Sequence, residues 1–139
     1  MKKILLLLSL VWMGANPLLA QLPDGTVAPN FTVTNVVDNQ SHTLYTLLDQ
    51  GKTVYLDFFA TWCAPCWNYH QSHALANLWD QYGPPGTNEA FVIAVESDAT
   101  TNIPCIFGPS GCVGGTQGNW TDGTPYPIAD AASVASQYQ

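Results

Sequence analysis

The feature that most constrains this chain is Cys63-Ala64-Pro65-Cys66, separated only by the turn Thr61-Trp62 from the run Thr53–Ala60, TVYLDFFA. That run is nearly all apolar and rich in β-branched and aromatic residues, the pattern of a strand covered on both faces. Downstream, Cys66, Tyr69, His70, His73, Ala74, Leu78 and Tyr82 recur at three- and four-residue spacing, with Leu75 and Trp79 widening the face. This periodicity predicts a helix from Cys63 to Tyr82, stopped by Gly83-Pro84-Pro85-Gly86. Phe91–Val95, FVIAV, is a second buried strand. Strand, helix and strand in that order make a βαβ unit, which implies a parallel sheet and a right-handed crossover.

A C-x-x-C pair that opens a helix carries a mechanism. The first thiol lies beside unpaired backbone N–H groups and the positive end of the helix dipole. Both favour thiolate, and such cysteines have pKa values of about 3.5 to 7.5 against about 8.5 for a free thiol. Cys63 is therefore the expected nucleophile. Cys66, one turn on and deeper, is the expected resolving thiol that attacks Cys63 and releases a mixed disulfide. Pro65 suits the first turn, where its missing N–H costs nothing.

Asp57 interrupts the apolar strand six residues before Cys63. A buried carboxyl should have a raised pKa, which makes Asp57 a candidate proton acceptor for Cys66. The other reading is an edge carboxylate bonded to backbone or water. Zinc is the competing use of the cysteines, but it needs four ligands at characteristic spacings. Cys105 and Cys112 are spaced too widely, and His70 and His73 reach Cys66 only with strain. The two histidines read as packing or surface residues, and no metal or other cofactor is expected.

The rest of the chain is less regular. Pro23-Asp24-Gly25 is turn chemistry. Phe31–Val37 alternates as a first strand, Asp38–Ser41 is a turn, and Leu44, Leu47 and Leu48 suit a short helix. Residues 97–125 lose apolar periodicity and read as one long loop, of the kind that is functional or cross-linked. Within it, Cys105 and Cys112 read as a structural disulfide, whose short closed loop limits its contribution to about 3 kcal/mol. The sharper alternative is a second redox pair that passes electrons to Cys63 and Cys66. Tyr126–Ala129 suits a short strand, and Asp130 is the expected cap of a helix over Ala131–Tyr138.

Lys2 and Lys3, the apolar run from Ile4 and the small residue Ala20 form the pattern of a secretory signal peptide over residues 1–20. The alternative, a retained anchor, is disfavoured because the apolar run falls short of the roughly 20 residues that span a bilayer. No Cys follows the expected cut, so lipid attachment is not expected there. The chain is then an exported, periplasmic or extracellular protein with one domain over 21–139. Lys52 is the one basic residue there, against ten acidic ones. So acidic a surface excludes nucleic acid and anionic lipid as partners. Cysteines in an exported chain favour disulfides.

Ala28-Pro29-Asn30-Phe31, then Gly51-Lys52, then Asp57-Phe58-Phe59-Ala60-Thr61-Trp62-Cys63-Ala64-Pro65-Cys66 together resemble the thioredoxin superfamily, and within it the exported TlpA/ResA-like redoxins. The resemblance covers most of 24–139. It implies a thioredoxin-like α/β fold with a central mixed β-sheet flanked by helices. It also implies thiol–disulfide exchange with protein dithiols or disulfides and a redox partner protein, by a monomer. Cys63 matches the nucleophile, Cys66 the resolving Cys, Asp57 the buried acid, and Trp62 the Trp that flanks the site, with Ala64 and Pro65 between the sulfurs. A reductase is favoured over an oxidase, because Ala-Pro resembles the reducing pattern. The rival is a non-catalytic binding or metal-delivery module with the same fold. Two departures stand out. Gln71 replaces the helix-kinking Pro, so a straighter helix is expected. The family's cis-Pro segment has no counterpart, so the chain is expected to stop before that segment, the last hairpin and the closing helix.

Overall fold

A computed structural model describes residues 22–138. The expected signal peptide, residues 1–20, lies outside the described residues. In chain order the elements are β1 (Thr32–Thr34), β2 (Ser41–Thr43), α1 (Leu44–Asp49), β3 (Thr53–Phe59), α2 (Ala64–Gln71), α3 (Ala74–Tyr82), β4 (Ala90–Glu96), α4 (Pro104–Phe107), β5 (Ile128–Asp130) and α5 (Ala132–Ala135).

The apolar runs at 53–60 and 91–95 become neighbouring parallel strands, β3 and β4, with Thr53 opposite Ala90 and Phe59 opposite Glu96. β5 pairs parallel on the other side of β4, from Ala94 opposite Ile128 to Glu96 opposite Asp130. β4 is thus the centre of a three-stranded sheet, with β3 and β5 at its two edges. Every β4 residue is buried, with Val92, Ile93 and Val95 wholly inaccessible, as a strand covered on both faces requires. Among the described residues, antiparallel pairing is confined to the separate β1–β2 hairpin. That hairpin is tied to β5 by the buried Asn35, whose Oδ1 accepts from the N–H groups of Val37 and Ile128, each at 3.2 Å. Tyr138 draws the end of the described chain onto its start: its hydroxyl donates to the Pro29 carbonyl at 2.6 Å, and its ring meets Phe31 and Phe58.

Four expectations need correction. The first strand ends at Thr34 rather than Val37, because Asn35 turns its amide onto the backbone and opens a turn. The single helix over Cys63–Tyr82 is two helices. Ser72 Oγ donates to the Tyr69 carbonyl at 2.6 Å and accepts from Ala74 N–H at 3.4 Å, and His73 takes a left-handed conformation with φ 55°. The chain therefore breaks after Gln71 without a proline, and the straighter helix is not formed. The long loop contains α4, which buries Cys105 and Ile106. Asp130 closes β5 instead of capping a helix; the residue before α5 is Ala131, with no side-chain cap, and α5 spans one turn where Ala131–Tyr138 was expected.

Candidate active site

Cys63 is the N-cap of α2 in extended conformation, and its Sγ accepts the Cys66 N–H at 3.3 Å. Its own N–H donates to the Ala60 carbonyl and its carbonyl accepts from Trp67 N–H, both at 2.9 Å. The backbone is thus fixed on both sides of the sulfur. Pro65 lies in the first turn, where it leaves no N–H to satisfy. Cys63 and Cys66 are joined as a disulfide with Cα atoms 5.3 Å apart. Both are half-buried, but Cys66, not Cys63, packs against the hydrophobic core.

Asp57 lies in β3 opposite Ala94. Strand alternation puts it on the same face as Phe59. Burial pushes its carboxyl above the usual carboxylate range. It borders a small cavity with His70, Trp120, Thr124 and Tyr126. Burial, then the Asp57 charge, push the Tyr126 phenol up to about 12. His70 sits between Trp67, ring centroids 5.1 Å apart, and Trp120 at 5.2 Å. Burial lowers its pKa, and nearby His73 lowers it further. His73 itself is exposed. The two histidines therefore differ: one packs beneath the site and the other faces solvent. Among the described residues, no three His, Cys, Asp or Glu side chains gather to hold a metal ion. Nor is any helix there long and apolar enough to cross a membrane.

The approach to Cys63 is clamped by the long loop. Thr61 is inaccessible, and its polar atoms are all engaged. Its hydroxyl donates to the Gly115 carbonyl at 2.8 Å, and its N–H donates to Glu96 at 3.4 Å. Its carbonyl accepts from Gln117 N–H at 2.9 Å and from Trp120 Nε1 at 3.2 Å. Trp62 is half exposed; its indole N–H donates to Asp98 at 2.7 Å, and its carbonyl accepts from the Gln117 amide at 2.8 Å. The Thr100 hydroxyl and N–H, then the Trp62 indole, hold the Asp98 carboxyl below its usual range. Burial raises the Glu96 pKa, opposed by hydrogen bonds from Thr101, Asp98 and Thr61.

Trp120 stacks on Phe59 with ring centroids 4.4 Å apart and meets the Trp67 ring edge-on at 5.0 Å. Gly118 lets the loop come this close, since a Cβ there would lie 2.7 Å from Trp67. The base of the loop is closed by the Cys105–Cys112 disulfide. Cys105 is inaccessible. The Asn102 side chain bridges the same turn, accepting from Val113 N–H at 2.9 Å and donating to the Gly111 carbonyl at 3.1 Å.

The structure thus gathers Cys63, Cys66, Trp62, Ala64 and Pro65 on one turn, with Asp57 in the strand that leads to it. Sequence reasoning missed Thr61, Glu96, Asp98, Gln117 and Trp120. Two signals were present: Glu96 closes an otherwise apolar strand, as Asp57 interrupts another, and Trp120 is a lone large apolar residue in a polar stretch.

The redoxin family model matches residues 23–103, more than half of the chain. No curated protein matches. Among solved structures, a protein from Bacteroides thetaiotaomicron named as a candidate protein disulfide isomerase superposes with a TM-score of 0.60 at 23% identity, over 82% of this chain and 62% of its own. The thioredoxin domain of a thiol-disulfide oxidoreductase from Bacteroides vulgatus gives a TM-score of 0.53 at 16% identity, over 84% of this chain and 73% of its own. At such identities the likeness is one of fold. The chain spans 62% of the length of the first of these relatives.

Proposed function

Given that the chain belongs to the redoxin family, we propose that it exchanges thiols and disulfides with protein substrates through Cys63 and Cys66 in an extracytoplasmic compartment. The observation that carries this reading is Cys63 Sγ at the start of α2, bonded to a Cys66 that packs inward. In the reduced protein the helix N-terminus favours the Cys63 thiolate. That thiolate attacks one sulfur of a substrate disulfide. The substrate S–S bond breaks, one substrate sulfur leaves as thiolate, and a mixed disulfide forms on Cys63. Cys66 gives its proton to the Asp57 carboxylate and attacks Cys63 Sγ. The second substrate thiolate leaves, and the Cys63–Cys66 bond is restored. Two electrons have passed from the pair to the substrate.

This is the reductase direction, favoured by the Ala64-Pro65 pair between the sulfurs. A reduction potential near about −270 mV supports it, and one near about −120 mV reverses it. The exchange itself is tested by insulin reduction. Cys63→Ser is expected to lose the activity, and retained activity overturns the reading.

A further inference from the structure

His70 takes no part in the exchange steps above, yet its surroundings are unusual for a packing residue. It lies four residues after Cys66 on α2, so the two side chains project from the same helical face. Asp122 lies beside the ring, where its carbonyl and its charge favour the protonated form. The ring nitrogen Nε2 is buried without a partner. An unpaired buried polar atom is costly, and a neutral imidazole carries a free lone pair on one ring nitrogen. The cavity shared by His70 and Asp57 measures about 10 Å³. That is close to the minimum, about 10–15 Å³, that holds a single water. Its polar groups come from Asp57, His70, Thr124 and Tyr126.

We propose that His70 is the proton acceptor behind Asp57, with one water in this cavity bridging the Asp57 carboxyl and His70 Nε2. The inference rests on the thiol–disulfide reading. When the Asp57 carboxylate takes the Cys66 proton, Asp57 becomes neutral. The water accepts that proton and donates one of its own to Nε2. Asp57 is again a carboxylate, and His70 becomes an imidazolium favoured by the neighbouring Asp122. The electron pair left on Cys66 forms the bond to Cys63 Sγ as the substrate thiolate departs. The half-buried imidazolium then returns its proton to solvent.

The groups facing this relay fit it. Burial lowers the proton affinity of His70 and raises that of Asp57, which brings the two together. His73, at the start of α3, opposes the imidazolium, whereas the Asp122 charge and carbonyl support it. Tyr126, pushed up to about 12, stays neutral.

The test is single-turnover reaction of the reduced chain with 5,5′-dithiobis(2-nitrobenzoate) across pH 4.5–8. Attack by Cys63 releases the first thionitrobenzoate, and resolution by Cys66 releases the second. His70→Gln, which keeps a polar amide but takes no proton, is expected to leave the first phase within about twofold. The second phase should slow about 10- to 100-fold at pH 7, the scale of general-base assistance, and lose its inflection below neutrality. Combined with Asp57→Asn, it should be no slower than Asp57→Asn alone. His70→Phe, which fills the cavity, should give the same second-phase loss with an unchanged near-UV spectrum. A second phase with wild-type rate and pH profile in either variant overturns the relay. Equal slowing of both phases, the mark of a structural role, also overturns it. Absence of the first phase in the wild-type protein would instead remove the exchange reading on which the relay depends.

Discussion

β3 and β4 hold the site through a seven-residue parallel register and a continuous apolar core. Residues 97–127 hold it through side-chain hydrogen bonds, one disulfide and one buried tryptophan. In the first region the backbone satisfies itself and the side chains exclude water. In the second the backbone is irregular, so Thr61, Asn102, Asp98 and Gln117 supply the missing partners one at a time. Hydrophobic burial is cooperative and tolerant of detail. A network of individual polar contacts has no such tolerance, because each lost partner leaves a desolvated group behind.

Trp120→Ala breaks this comparison most severely. It removes the stack on Phe59, the contacts with Trp67 and His70, and the hydrogen bond to Thr61. We expect a loss of about 3–5 kcal/mol in urea denaturation, the range for large aromatic truncations. A loss below about 1 kcal/mol would show that the loop is an appendage rather than half of the scaffold. Replacing Cys105 and Cys112 by Ala together should cost at most about 3 kcal/mol. Amide exchange should then quicken across residues 98–120 and stay slow across 90–96. Equal quickening in both regions would contradict their separate means of support.

Asp57→Asn should have a smaller effect on stability and of opposite sign. Burial raises the folded pKa of Asp57, so its contribution to stability is fully present below the unfolded pKa. It is lost as pH rises through the folded value. At pH 7 the variant is therefore expected to gain about 1 kcal/mol, the lower end of a polar burial cost. The gain should vanish near pH 3. A gain that persists at acid pH would place the effect elsewhere.

Asp98→Ala should lower the unfolding midpoint less than the two loop changes above, because Asp98 is only half-buried at the rim of the network and the groups it leaves can turn to water. It should instead free the Trp62 indole, seen as faster fluorescence depolarisation. The folded pKa of Asp98 is lowered, so in the wild-type protein the same release should appear as pH falls through that value and not above it. Unchanged Trp62 mobility in the variant would mean that the loop does not position this side chain.

How much was legible divides along the same line. The strand at 90–96 was readable because burial on both faces writes itself as an apolar run. The strand at 53–59 was readable from a similar run, but it is an edge strand with Thr53 and Tyr55 exposed, so the expected cover on both faces is not there. Cys63, Cys66 and Pro65 were readable because local geometry at a helix start demands those residue types. The break at Ser72–His73 was not, since the apolar spacing runs straight through it and the cause is one hydroxyl turned onto the backbone. Thr61, Gln117 and Trp120 were not, because the contacts that join them to the site span 50 to 59 residues in sequence, and pairing at that range leaves no period to detect. The three-residue strands β1, β2 and β5 are too short to carry an alternation that fixes their ends.

The central claim is that Cys63 is the attacking sulfur and Cys66 the resolving one. It is tested most directly by incubating reduced Cys66→Ser protein with a disulfide-containing peptide and locating the adduct by mass spectrometry. The account predicts a stable mixed disulfide on Cys63, and little or none on Cys66 when Cys63→Ser is treated alike. An adduct that forms on Cys66 as readily as on Cys63, or on neither, would contradict it.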